Sequence, residues 1–180
     1  MSTKRFPVWD KEEERQVIKA FEIIKKHGFK RNGQLLPSDI FFKWKEIFYS
    51  VSIEFAILSP NSEGQMVFLS KRPNDDPYFS ELWHFPGSIL LPQEKILDAA
   101  IRVLKNEIGI VMHHNKINFL GVFEYVSTPR GHELSLFYTL VLTKEEARRI
   151  GSARGRWFPA KKHPEQIVAH HKKIFRMLPN

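Results

Sequence analysis

No cysteine occurs among the 180 residues, which excludes disulfide staples, thiolate nucleophiles and cysteine-ligated metal centres. No apolar run approaches the roughly 20 residues of a membrane span. The opening MSTKRFPVWDKEEER lacks the apolar stretch of a secretory leader. Internal repeats and low-complexity tracts are also missing. These absences point to a cytoplasmic chain with no membrane partner. Acidic residues are in short supply, 20 Asp/Glu against 28 Lys/Arg, for a formal net charge of +8. The deficit is concentrated at the end. Residues 144–180 hold ten Lys/Arg against Glu145, Glu146 and Glu165, a net +7. Such a surface attracts anions. Its aromatic interleaving is thin (Trp157, Phe158, Phe175) and no RNA-recognition motif is present, so it reads as a surface that steers phosphates and not as a specific nucleic-acid site.

What is present fits one α/β core preceded by an extension. Asp10 is placed to cap a helix carrying Val17, Ala20, Phe21 and Ile24 on one stripe, with Gly28 as its stop. A basic turn (Lys30 to Gly33) leads to a second short helix over 37–48. Its Phe41, Phe42, Trp44 and Phe48 need burial, against the core or against a second copy in a homodimer. Residues 1–48 therefore form a helical extension and 49–180 the main domain. Strands are expected at 51–59, 65–71, 82–86, 116–126, 134–143 and 155–159, and a C-terminal helix from Pro164. The weak alternation in 134–143 suits a strand covered on both faces.

The most informative stretch is Trp83 to Ile110, WHFPGSILLPQEKILDAAIRVLKNEIGI. It reads as a strand end, a Pro-Gly turn, a loop, and a helix opening near Glu94 and closing at Gly109, a residue suited to the left-handed C-cap. Leu97, Ala100, Ile101, Leu104 and Ile108 mark its core face. Asp98, Arg102, Lys105 and Asn106 lie away from that face and Glu107 at its edge.

This stretch resembles the Nudix box, G-x5-E-x7-R-E-U-x-E-E-x-G-U with U apolar. Glu94, Arg102, Glu107, Gly109 and Ile110 match it, whereas Ser88, Val103 and Asn106 depart from it. The resemblance implies a Nudix fold, an α/β/α sandwich around a mixed sheet. It also implies a MutT-like hydrolase whose box glutamates hold Mg²⁺ against a substrate diphosphate. On a helix, positions 103, 106 and 107 are i, i+3 and i+4 and converge. With one carboxylate left of three, such a helix supports one Mg²⁺ (or Mn²⁺) at most. The metal ligands implied are Glu107, the backbone carbonyl of Gly87, and Asn106. Glu94 and Arg102 would form the ion pair that orients the box.

A second resemblance is to the GDP-mannose mannosyl hydrolase branch, which also lacks two box glutamates. VSIEFAIL and FLSKRPNDDPYFSELWHFPG are similar to its first strands and Lys-Arg turn. Glu54 and Arg72 fall at its acidic and substrate-contacting basic positions. Departures are Ile89, where that branch has arginine, and Gly151 and Ser152, where it has a Gln-His pair supplying a metal ligand and a base. His132 or Glu133, on a loop between two strands, is a candidate replacement base. His113 and His114 read as a solvated turn. His170 and His171 lie on the last helix, where a metal is not expected. Two functions follow. One is an Mg²⁺-dependent hydrolase of a nucleotide-sugar or another nucleoside-diphosphate-linked compound. The other is a Nudix-fold binding or regulatory module that has lost catalysis.

Overall fold

A computed structural model of the chain describes residues 10–27, 37–62 and 64–178. It divides into two compact units, Met1–Trp44 and Lys45–Asn180. In the first unit, α1 (Lys11–His27) starts where expected. Asp10 Oδ1 accepts the Glu12 and Glu13 amides, both at 2.8 Å, and Glu13 Oε2 accepts the Asp10 amide at 3.1 Å. This reciprocal cap satisfies donors that the first turn would otherwise leave orphaned. The expected stop at Gly28 and the basic turn after it lie outside the described residues. Helix α2 (Ser38–Ile47) begins in the first unit and ends in the second.

The second unit is built on a seven-stranded mixed sheet. At its centre β1 (Ser50–Asn61) runs parallel to β6 (Gly131–Val141), with Ile53 opposite Leu136. Strand β5 (Ile117–Thr128) pairs antiparallel with the far side of β6. The other side of β1 forks. Its second half pairs with β2 (Gly64–Lys71), and its first half with the short β4 (Gly87–Ile89). Strands β3 (Trp83–His84) and β7 (Arg156–Pro159) line the outer edge of β2. Successive side chains of β1 point to opposite faces. Ile53, Phe55 and Ile57 pack beneath α3 (Ile96–Val103), whereas Ala56 and Leu58 meet Ile167, Ile174, Phe175 and Leu178 of the C-terminal segment. That is the expected α/β/α sandwich. Phe55, Phe68, Phe85 and Phe137 are fully buried, each contributing about 1.5–3 kcal/mol by leaving water.

Three local expectations change. Helix α3 opens at Ile96 and not near Glu94, because Gln93 has φ +62° and the Glu94 carboxylate accepts the Leu91 amide at 3.1 Å. Its buried face is Ala99, Ala100 and Val103, continued by Leu104 and Ile108, while Leu97 is 47% exposed and Ile101 half-buried. The C-terminal helix from Pro164 shrinks to one 3₁₀ turn and α5 (Lys172–Phe175). Residues 166–168 instead run beside β3. The Trp83 amide donates to the Gln166 carbonyl at 2.8 Å and the Val168 amide to the Trp83 carbonyl at 2.9 Å. A further short helix, α4 (Lys144–Arg148), opens on a Thr143–Glu146 capping box.

Candidate functional site

The loop and helix of residues 87–109 meet at the fork of the sheet. Gly87 sits opposite Glu54 in the β1–β4 register. A Cβ at Gly87 would lie 2.6 Å from Glu54 Cγ and 2.8 Å from the Ile53 carbonyl, so only glycine fits. The Phe55 amide bonds to the Pro86 carbonyl and the Leu90 amide to the Val51 carbonyl. Antiparallel bonding alternates, so Gly87 falls at a non-bonded position and its carbonyl points away from β1. On the helix side, Arg102 grips Glu94 through Nε at 2.6 Å and Nη2 at 2.8 Å, and donates to the Ile89 carbonyl at 2.9 Å. Burial works against the Glu94 charge, but the Arg102 guanidinium and the Leu91 amide hold its carboxyl below the usual range. The expected orienting pair is therefore present.

Beyond Val103 the helix widens into a π turn, Leu104–Ile108, closed by Gly109 at φ +79°. Such turns hydrogen-bond i→i+5 and shift the side-chain phase. The three positions expected to converge differ in burial. Val103 is fully buried in the core, Asn106 is exposed and Glu107 is half-buried. The Asn106 backbone carbonyl accepts Arg154 Nη1 at 2.7 Å. Glu107 itself makes no hydrogen bond or ion pair with any described residue. Burial pushes its carboxyl up, against the opposing pull of Arg72, Arg154 and Arg102. Arg154 comes from the Ser152–Arg154 turn, next to Gly151 and Ser152. A cavity of about 280 Å³ adjoins it, lined by Lys71, Arg154, Arg156 and Trp83. Lys71 Nζ and the Arg156 guanidinium lie 6.0 and 5.9 Å from the Trp83 ring centre.

Arg72 connects this region to a second arginine. Its Nε is buried without a hydrogen bond and lies 3.7 Å from Asp76 Oδ2. Asp76 also pairs with Arg130 Nη2 and accepts the Tyr78 and Phe79 amides, both at 3.0 Å. Arg130 lies over the Phe79 ring at 4.9 Å. Arg72 is thus held at the mouth of the fork with donor capacity unspent.

Residues 53–178 match the family model for the NUDIX domain. This chain belongs to the Nudix family. Similar folds occur in the C-terminal domain of mouse MUTYH, crystallised with human PCNA, at 24% identity and a TM-score of 0.58, covering 71% of this chain and 86% of that one. The NUDIX domain of Shewanella oneidensis NrtR, crystallised with ADP ribose, gives 15% identity and 0.57, with 79% and 96% covered. The Ap4A hydrolase of C. elegans gives 13% and 0.55, with 72% and 93% covered. At such identities the likeness is one of fold. No curated protein sequence matches the chain significantly. Among the described residues no helix is long and apolar enough to cross a membrane.

Nudix proteins are in general hydrolases that use divalent metals such as Mg²⁺. The residues of this Nudix domain do not fit that ion. Among the described residues no group of three His, Cys, Asp or Glu is arranged to hold a metal. Val103 is sealed in the core, and Glu107, the one carboxylate left at the three ligand positions, feels the pull of three guanidiniums. A hard dication needs several oxygen ligands and is repelled by cations. The donor set suits an anion.

Glu54, expected to meet substrate, is instead buried in a polar chain on the opposite face from α3. Its Oε1 accepts from Ser135 Oγ at 3.0 Å and lies 3.2 Å from Ser52 Oγ, and its Oε2 lies 3.0 Å from His171 Nε2. The Phe85 amide donates to His171 Nδ1 at 3.2 Å, so Nε2 carries the hydrogen facing Glu54. Burial alone would raise the Glu54 carboxyl. The imidazole and the Ser135 hydroxyl outweigh burial and hold it at about 2. The chain continues through Ser52 Oγ to Glu133 (2.9 Å) and from Glu133 to the buried Lys45 (3.3 Å). Glu133 is thus tied to structure, and His132 pairs with Glu124 at 2.9 Å with its ring against Tyr49. Glu133, like Glu54, acts electrostatically on Arg72. Arg154, Arg130 and Asp76 were not singled out by sequence, and His171 was weighed only as a metal ligand. For His171 a signal existed: it sits at i+4 from Ile167 and i−4 from Phe175, on the apolar face.

Proposed function

We propose that this Nudix domain is a binding module for a nucleoside-diphosphate-linked compound of the nucleotide-sugar class, gripped by arginines without a metal and not cleaved. The observation that carries this is the loss of two box carboxylates, to the neutral Val103 and Asn106, beside a group of cations. Glu107 stands unpaired between Arg72, Arg154 and Arg102, and Lys71, Arg154, Arg156 and Trp83 line the adjoining cavity. Guanidiniums match phosphate oxygens in a bidentate fashion, and the Trp83 ring offers an apolar face for a base or sugar. The nucleotide-sugar class rests on the resemblance to the GDP-mannose mannosyl hydrolase branch. The NUDIX domain of NrtR, crystallised with ADP ribose, supports a related ligand on this fold. Residues 1–48 are the extension of this domain, 49–180.

Calorimetry with GDP-mannose and ADP-ribose in EDTA, alongside chromatography of incubations with Mg²⁺, tests the proposal. Binding in EDTA that is lost in Arg154→Gln, with intact ligand recovered after Mg²⁺ incubation, is the expected result. Mg²⁺-dependent release of a nucleoside diphosphate would contradict it and restore the single-metal hydrolase.

A further inference from the structure

At the far end of the sheet lies a cavity of about 520 Å³, unconnected with the Nudix box. It opens where the β1–β2 hairpin, α4 and β7 meet. Pro60 of β1 and Met66 of β2 form one wall, and Ile150 and Trp157 the other, with Lys144 and Arg148 also lining it. Pro60 is six residues along β1 from Glu54, about 20 Å at the rise of a strand. The two cavities also lie on opposite faces of β7. Arg156 points to Trp83, whereas the Trp157 ring packs edge-on to Phe68 on the α3 side, centres 5.3 Å apart. A ligand in one cavity therefore does not reach the other.

The lining has two characters. Met66, Ile150 and Trp157 present apolar surface, including one face of a large flat ring. Lys144 and Arg148 are four residues apart on the same side of α4, and neither forms an ion pair with a carboxylate among the described residues. Their helix neighbour Glu146 is committed elsewhere, to Lys116 at 2.7 Å and to the Thr143 cap. Two adjacent unneutralised cations beside an apolar hollow favour an anion carrying an apolar body, because that ligand satisfies both at once.

We infer that this cavity is a second ligand site, for a small amphipathic anion consisting of a flat apolar body with one phosphate or carboxylate group. The body packs against Trp157 and Met66, and the anionic group meets Lys144 and Arg148. Its ligand differs from that of the arginine cluster, which offers several guanidiniums and suits a diphosphate. The site stands whether or not the Nudix box binds nucleotide-sugar.

The test follows the Trp157 indole N–H peak, assigned through Trp157→Phe, in ¹⁵N correlation spectra of the full chain titrated with 1-naphthyl phosphate. The expected result is a saturable shift of that peak. In a Lys144→Gln/Arg148→Gln double variant, whose peak dispersion and melting temperature match the parent, the affinity should fall at least tenfold. Inorganic phosphate and 1-naphthol, each carrying half of the ligand's chemistry, should leave the peak in place at the same concentrations. An unmoved Trp157 peak, or equal affinity in the double variant, overturns the site. An equal response to 1-naphthol or to phosphate alone overturns the ligand class.

Discussion

Glu54 and Glu107 are two carboxylates in one domain, and their surroundings differ in kind. Glu54 is sealed between β1 and the C-terminal segment, with both oxygens engaged and its acidity strengthened to about 2. Glu107 is half-exposed on a π turn, touches no described partner, and has its acidity weakened by burial although arginines surround it. A buried carboxylate held by a serine hydroxyl and an imidazole belongs to the architecture. A carboxylate left unpaired amid cations belongs to a surface that awaits something else. On the function proposed above, the fork of the sheet offers an anion's partners where the family holds a metal.

Changes at the two carboxylates and beside them probe that contrast. The largest effect is expected at Val103, where restoring the family glutamate would place an uncompensated charge in the core. Val103→Glu should cost about 3–5 kcal/mol in urea unfolding. A variant as stable as the parent would show that position 103 can turn toward the metal site after all. Glu54→Gln should cost about 1–3 kcal/mol, since an amide cannot accept from Ser135 and His171 together. Unchanged stability would make Glu54 as dispensable as a surface residue.

Acid titration separates the two kinds of group further. His170 sits against Tyr125 and His171, and burial lowers its pKa to about 4. The unfolded chain therefore binds the extra proton first, and stability falls as pH drops from about 6.5 to 4. The contribution from Glu54 is present above about 4.5 and is lost only as pH falls from there toward 2. Burial lowers the pKa of His84 as well, so it acts in the same window; His170→Phe, which keeps the ring, should make the upper window shallower in melting temperature and leave the lower one intact. If the two windows collapse into one, the separation fails.

The sheet, the Glu94–Arg102 pair and the Asp10 cap were legible because each rests on local pattern: strand runs, fixed spacing, a capping box. The phase of α3 was not. An α-helical pattern gives no sign of the π turn over Leu104–Ile108. Helix α4 was missed although Thr143 and Glu146 spell its capping box. The C-terminal helix was overdrawn because a strand bridge to Trp83 is a long-range pairing that no local pattern announces. The Glu54–His171 contact spans most of the domain, and only the place of His171 on an apolar stripe hinted at it. Arg154 was invisible for a simpler reason. In sequence it is one of ten Lys/Arg in a basic tail, with no local pattern to set it apart.

The most direct test of the proposed function is Glu107→Gln, measured by calorimetry with ADP-ribose in EDTA and again with Mg²⁺. Stability should change by no more than about 0.5 kcal/mol, because Glu107 has no partner to lose. Removing a negative charge from among the arginines should tighten the anion several-fold, equally with and without the metal. If instead the parent binds only with Mg²⁺ and Glu107→Gln abolishes that binding, Glu107 is a metal ligand and the arginine-based account is wrong.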